Sequence, residues 1–226
     1  MTAKHLIIAI DGPAGAGKST LAARLANRFG LLNLETGAMY RAFALAALEK
    51  RVPLDESVDL ERLMTSTVIR LQPDAGGNRV LLDGRDVTER IREQDVTEAA
   101  SRVSVHPPIR RWMVAMQRKL GEAGGVVMEG RDIGTEVFPS ADVKIFLDAS
   151  PATRGERRYQ QLGPAQETEQ AAILRGIEER DARDRTRVQS PLRPASDAVV
   201  IDSTSLSMEE VVARAEALIT ARLAAR

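Results

Sequence analysis

The 226-residue sequence predicts an α/β fold, a doubly wound parallel sheet of five strands. Continuous apolar runs, each closed by a polar residue or glycine, have the character of parallel strands buried on both faces. Helical periodicity fills most of the intervals between them. The first run leads directly into a glycine-rich loop that opens a helix. In sheets of this kind, ligands gather outside the carboxyl ends of the strands.

Leu6-Ile7-Ile8-Ala9-Ile10 is the first strand, ending at Asp11. The segment Gly12-Pro13-Ala14-Gly15-Ala16-Gly17-Lys18-Ser19-Thr20 follows it and fits the phosphate-loop pattern G-x-x-x-x-G-K-[ST]. Leu21, Leu25 and Phe29 then recur at helical spacing until Gly30. With strand, loop and helix in register, the glycines free backbone N–H groups to turn towards an anion, and the helix N-terminus adds its positive end. Lys18 is expected to reach the β- and γ-phosphates and Ser19 a magnesium ion.

Four further runs supply the remaining strands: 31–34, 126–128, 143–147 and 198–201, each closed by polar or glycine residues. This arrangement predicts that the loop 12–19, Thr36, Arg131, Asp132 and the segment after Asp148 share one rim. Two segments break the alternation. Over Thr67–Val87, the runs Val68–Leu71 and Val80–Leu82 joined through Ala75-Gly76-Gly77-Asn78 predict an antiparallel insertion. Arg154–Arg187 is helical by composition, with a break near Leu162-Gly163-Pro164. From Met208 the chain predicts a surface helix with Val211, Val212, Ala215, Leu218 and Ile219 on one face.

Composition narrows the function classes. Lys+Arg and Asp+Glu both number 32, so no global field recruits nucleic acid. There is no cysteine, which excludes disulfides, thiolate metal sites and cysteine nucleophiles. No apolar run approaches the roughly 18 residues of a membrane span, and the chain enters its first strand almost at once. A soluble cytoplasmic protein is expected. None of Asn27, Asn33 and Asn78 is followed by lysine, so the guanine-reading Asn-Lys-x-Asp element is missing.

Three constellations carry the remaining chemistry. Glu129-Gly130-Arg131-Asp132 ends the 126–128 run, offering close backbone approach, a guanidinium clamp for phosphate and an adjacent carboxylate. Ile173 and Ile177 mark an inward helical stripe, and continuing it by three and four lands on Arg180, Asp184 and Arg187. Charges at core-facing positions imply a cleft holding something polar and anionic. Asp181 and Arg185, four apart on another face, are expected to form a surface pair. Arg154, Arg157 and Arg158 follow the fourth strand, where a helix can bring positive charge over a transferring phosphoryl group. His5 and His106 are expected to be structural or exposed, Trp112 to pack in the core or shield the cleft, and Met113 and Met116 to fill core space.

In their order along the chain, DGPAGAGKST from Asp11, ETGAMYR from Glu35, VVMEGRDIGTEVFP from Val126, VKIFLDAS from Val143 and ERDARDRTR from Glu179 closely resemble the bacterial cytidylate kinases. The resemblance spans essentially the whole chain. It implies a P-loop nucleoside monophosphate kinase fold with core segments 1–35, 103–150 and 188–226. The monophosphate-binding region is then 36–102, with its insertion at about 67–87, and a helical lid and following helix occupy 151–187. The implied reaction moves the γ-phosphoryl of ATP to CMP or dCMP with Mg²⁺, in a protein expected to be a monomer. Carried over by position, Thr36 bonds the acceptor nucleotide, Arg41 and Arg131 hold its phosphate, and Ser101, Arg110 and Asp132 read the pyrimidine. Arg180, Asp184 and Arg187 contact ribose and base, while Lys18, Arg131, Arg157 and Arg158 are the expected catalytic group. Glu35 stands where aspartate is frequent, and Ser19 where some members have glycine. Rival readings are a kinase for UMP, AMP or dTMP, a small-metabolite kinase of the shikimate type, and an inactive nucleotide-binding module.

Overall fold

In the computed structural model of the protein, residues 5–74, 77–162 and 170–225 are described. Five parallel strands form the central sheet: β1 (Ile7–Asp11), β2 (Leu32–Glu35), β6 (Val126–Gly130), β7 (Val143–Asp148) and β8 (Val199–Asp202). Their spatial order is β2-β6-β1-β7-β8, as the doubly wound reading expects. The chain moves from β1 outwards to β2 in one direction, and from β6 across β1 to β7 and β8 in the other. Such a reversal opens a crevice at the carboxyl ends of the central strands.

Alternation along β1 builds both faces of the sheet. Leu6, Ile8 and Ile10 pack with Leu21 and Leu25 of α1 (Lys18–Phe29) and with Val211, Ala215 and Ile219 of α8 (Met208–Ala224). Ala9 faces the other way, onto Leu34, Met128, Ile133 and Val137. Ser207 and Glu210 close a reciprocal capping box at the start of α8, which fixes where that helix begins.

A separate apolar cluster underlies the monophosphate region. It joins α2 (Thr36–Glu49), α3 (Ser57–Thr65), α4 (Gln94–Val103) and α5 (Pro107–Gly121) through Phe43, Leu60, Val96 and Ile109. Trp112 meets Phe43 edge-on at 5.4 Å, so its ring packs in this core. The insertion is antiparallel, with β3 (Ile69–Asp74) paired to β4 (Gly77–Leu82). Ala75 and Gly76 of the expected turn lie outside the described residues. A third strand, β5 (Arg85–Asp86), adds to β4, extending the expected pair to three. Between β7 and β8 lie α6 (Pro151–Leu162) and α7 (Gln170–Thr186); the expected break at Gly163-Pro164 also lies outside the described residues. His106 Nε2 donates to Leu54 O at 2.8 Å in a structural role, and His5 is exposed.

Candidate active site

Phosphate-loop geometry begins where β1 runs out. Gly12 has φ +148, and a Cβ there would stand 2.0 Å from the Leu147 carbonyl oxygen, so only glycine lets the loop leave the sheet beside β7. Lys18 opens α1 and is buried, with Nζ donating to Pro13 O at 2.6 Å across the base of the loop. Burial, reinforced by the Arg131 guanidinium, pushes the Lys18 ammonium down to about 7, against the pull of Glu129. Ser19 and Thr20 stand exposed on the first helical turn. Ala14 and Ala16 turn their carbonyl oxygens away, towards Arg154 at 3.0 Å and towards Arg157 and Ser203 at 3.5 Å.

The end of β6 lies beside this loop because Ile10 is in register with Glu129 and Asp11 with Gly130. A Cβ on Gly130 would come within 2.8 Å of Thr36 Oγ1, which itself donates to Glu129 O at 2.8 Å. The turn after Arg131 and Asp132 is a short π-type helix (Ile133–Val137) whose first amides are captured from β1. Ile133 N and Gly134 N donate to Asp11 Oδ1 and Oδ2 at 2.8 and 2.7 Å. Even with both bonds, burial raises the Asp11 carboxyl to about 6.

Acceptor-side residues converge on that turn. Arg110 is sealed in α5, pairs with Asp132, donates to Ser104 O at 3.2 Å and lies 5.5 Å from the Tyr40 ring centre. Arg41 pairs with Glu35 at the start of α2, and its Nε is buried without a partner. Ser101 is buried on α4 and accepts from Arg183 Nε at 3.1 Å.

The last turns of α7 face inward, as the helical stripe requires. Asp184 is buried and accepts from Arg131 Nε at 2.9 Å and Arg187 Nη1 at 3.4 Å. Burial alone would raise its carboxyl, yet the guanidinium groups of Arg131, Arg180 and Arg187 hold it below the usual carboxylate range. Arg187 also donates to Ser190 O at 2.7 Å, leaving a buried Nη2 unpartnered. Arg180 is half-buried with an unpartnered Nε, and burial beside Arg131 pushes it down to about 10. These orphaned donors and depressed cations mark a cradle short of negative charge, suited to an anionic ligand.

One expected pairing is corrected. Asp181 and Arg185 do not form a surface pair: Asp181 is buried and takes both oxygens to Arg154, at 3.1 and 2.5 Å. Arg185 instead lies near Asp148, 3.9 Å away. A buried guanidinium outcompetes an exposed one because it offers two aligned bonds away from solvent. Arg157 is tied to Ser203 through bonds of 3.1 and 2.7 Å, on the donor-loop side of the site rather than beside Arg131. Arg158 is half-buried and makes no ion pair among the described residues.

Sequence reasoning gave no role to the carboxylates of Asp11 and Glu129, and it set Arg154 over the transferring phosphoryl group, whereas that side chain is sealed against Ala149 O, Ala14 O and Asp181. The only local signal for the first two is that each carboxylate ends a strand at the ligand rim. Glu129 is buried with Oε1 unpartnered, and burial together with Glu35 raises its carboxyl while Lys18, the Ser19 hydroxyl and Arg131 pull it back. An orphaned carboxylate oxygen near a helix-start hydroxyl is the donor chemistry that a magnesium ion takes, so Ser19 and Glu129 fit that ion.

The family model described as cytidylate kinase matches residues 8–221, from the first strand to the last helix. The chain belongs to the cytidylate kinase family. Cytidylate kinase from Solibacter usitatus is 50% identical over 211 residues, covering 92% of this chain and 89% of that one. That of Pelotomaculum thermopropionicum is 51% identical over 207 residues, covering 91% and 92%, and that of Geobacillus kaustophilus is 48% identical over 221 residues, covering 97% and 99%. As a cytidylate kinase, the chain takes nucleotides as substrates, with ATP as phosphoryl donor. No described helix is long and apolar enough to cross a membrane.

Proposed function

We propose that this chain carries out its family's reaction, transfer of the γ-phosphoryl of ATP to CMP or dCMP, by holding two anionic groups at the rim where β1 and β6 end. The observation that carries the reading is the meeting of Lys18, Arg131, Asp184 and Arg187 around that rim, with guanidinium donors left unpartnered. The loop amides of residues 12 and 14–17 and the Lys18 ammonium hold the donor phosphates. Thr36, Arg41 and Arg131 hold the acceptor phosphate, Ser101, Arg110 and Asp132 receive the pyrimidine, and Arg180, Asp184 and Arg187 receive the ribose.

Chemistry of this kind requires little covalent help from the protein, because the attacking phosphate oxygen is already anionic. Lys18 and Arg131 stabilise charge that spreads over the phosphoryl oxygens in line between the two pockets. Arg157 and Arg158 are assigned to the same cationic group. Lys18, lowered by burial in the free protein, gains an anionic partner when polyphosphate arrives, which favours its charged form. Ser19 and Glu129 would hold a magnesium ion, which would supply charge neutralisation on the donor phosphates. Positioning and electrostatics, with no general base, make up the mechanism. A cytoplasmic monomer accords with it.

A panel of acceptors at fixed ATP and Mg²⁺ tests the assignment. CMP and dCMP are expected to turn over fastest by kcat/KM; equal or faster use of UMP, AMP or dTMP refutes cytosine preference. Turnover of ATP that needs no monophosphate refutes the kinase reading.

A further inference from the structure

Arg154 on α6 has 1% of its surface exposed, and each of its guanidinium nitrogens is engaged. Nε donates to Ala149 O at 2.9 Å in the turn after β7. Nη1 donates to Ala14 O of the phosphate loop at 3.0 Å and to Asp181 Oδ1 at 3.1 Å, and Nη2 to Asp181 Oδ2 at 2.5 Å. The loop backbone is seated directly on this side chain, since a Cβ on Gly15 would meet Arg154 Cβ at 3.2 Å. Asp181 lies one helical turn before Asp184, the residue that accepts from Arg131. Residues three apart on a helix move together when the helix shifts. A continuous set of bonds therefore runs from the donor loop at Ala14, through Arg154 and Asp181, along α7 to Asp184 and Arg131.

We propose that Arg154 and Asp181 form a strut coupling the donor and acceptor pockets, so that occupancy of either one favours the other. Both are positioning residues that act through Ala14 and Asp184. The inference builds on the acceptor pocket proposed above. A ligand that fixes Asp184 fixes α7, which holds Asp181 in place for Arg154, which in turn holds the Ala14 carbonyl and hence the curvature of the loop. Linkage requires the effect to be reciprocal: ATP tightens CMP by the same factor that CMP tightens ATP. A purely structural pair has a different signature, lowering stability or both affinities without changing that factor.

The test is calorimetric titration of CMP with and without the β,γ-imido analogue of ATP and Mg²⁺, and the reverse titration. It compares wild type, Asp181→Asn, Arg154→Lys and the double variant Arg154→Met/Asp181→Leu. The double variant removes the strut without leaving a buried charge unpaired, so it remains informative if a single variant fails to fold. Wild type is expected to show a coupling factor of about 5 or more, equal in both directions. In the variants the factor falls towards unity while affinity for CMP alone changes by less than about 3-fold, a range set by the absence of direct ligand contact. In wild type, CMP alone is also expected to slow hydrogen exchange at the loop amides of residues 12 and 14–17. Variants that keep the wild-type factor, or a wild type with no coupling, overturn the strut. Wild-type protein that fails to phosphorylate CMP instead overturns the function proposed above, so the two failures are separable.

Discussion

Arg131 and Asp184, 53 positions apart, meet at 2.9 Å between Nε and Oδ2, joining the end of β6 to the last turns of α7. This contact joins the guanidinium proposed to hold the acceptor phosphate to the buried carboxylate proposed to receive the ribose. Replacing Asp184 by alanine is therefore expected to raise the KM for CMP by roughly 10-fold or more, the scale of a lost charge-assisted hydrogen bond. The KM for ATP should change little. Steady-state kinetics with each substrate varied in turn makes the comparison, and an unchanged KM for CMP contradicts the acceptor pocket.

Lys18 contacts the donor loop at Pro13 O and faces the site from the first turn of α1. Its interaction with the phosphoryl group grows as charge develops in transfer, so Lys18→Ala should reduce kcat by about 100-fold or more. Affinity for CMP, measured by calorimetry, should stay within about 3-fold of wild type on the same reasoning. Near-normal turnover removes Lys18 from the catalytic group.

A methyl group at position 12 has nowhere to go. Gly12→Ala brings Cβ against the Leu147 carbonyl oxygen, 2.0 Å away, at a backbone angle that side chains rarely adopt. Backbone strain of this kind costs on the order of 1 to 3 kcal/mol. Urea unfolding should show a loss of at least that order, accompanied by loss of ATP binding. Wild-type stability and ATP affinity in this variant contradict the loop geometry.

Asp11 sets a pH dependence of known sign. Its carboxyl is raised from 3.8 to about 6 by burial, so between those values the folded protein binds more protons than the unfolded chain. Stability from this group is thus greatest at the acid end and falls as pH rises through the window, by roughly 2 to 3 kcal/mol in total. Urea midpoints at about pH 4.5 and about pH 6.5 should differ less in Asp11→Asn than in wild type. An identical difference in the two proteins contradicts the assignment.

The sheet was readable because strands buried on both faces leave uninterrupted apolar runs, as in 143–147, and because Gly12 and Lys18 sit at fixed positions between strand and helix. The inward placement of Asp184 and Arg187 was readable from one helical stripe. Other features carry no comparable local mark. Arg85–Asp86 is too short and polar to show strand alternation, so β5 emerges only from pairing with Leu81 and Leu82. The π-type turn at Ile133–Val137 depends on a carboxylate at position 11, more than a hundred residues earlier. Asp181 satisfies the spacing of a surface pair with Arg185, and nothing nearby in sequence reveals that Arg154 claims it.

Direct measurement of the two-pocket claim uses a single molecule with adenosine and cytidine joined through a polyphosphate bridge. If donor loop and acceptor cradle share one rim, it should bind one per chain, compete with both ATP and CMP, and bind far more tightly than either alone. Competition against ATP only, with affinity no better than that of ATP, contradicts the account.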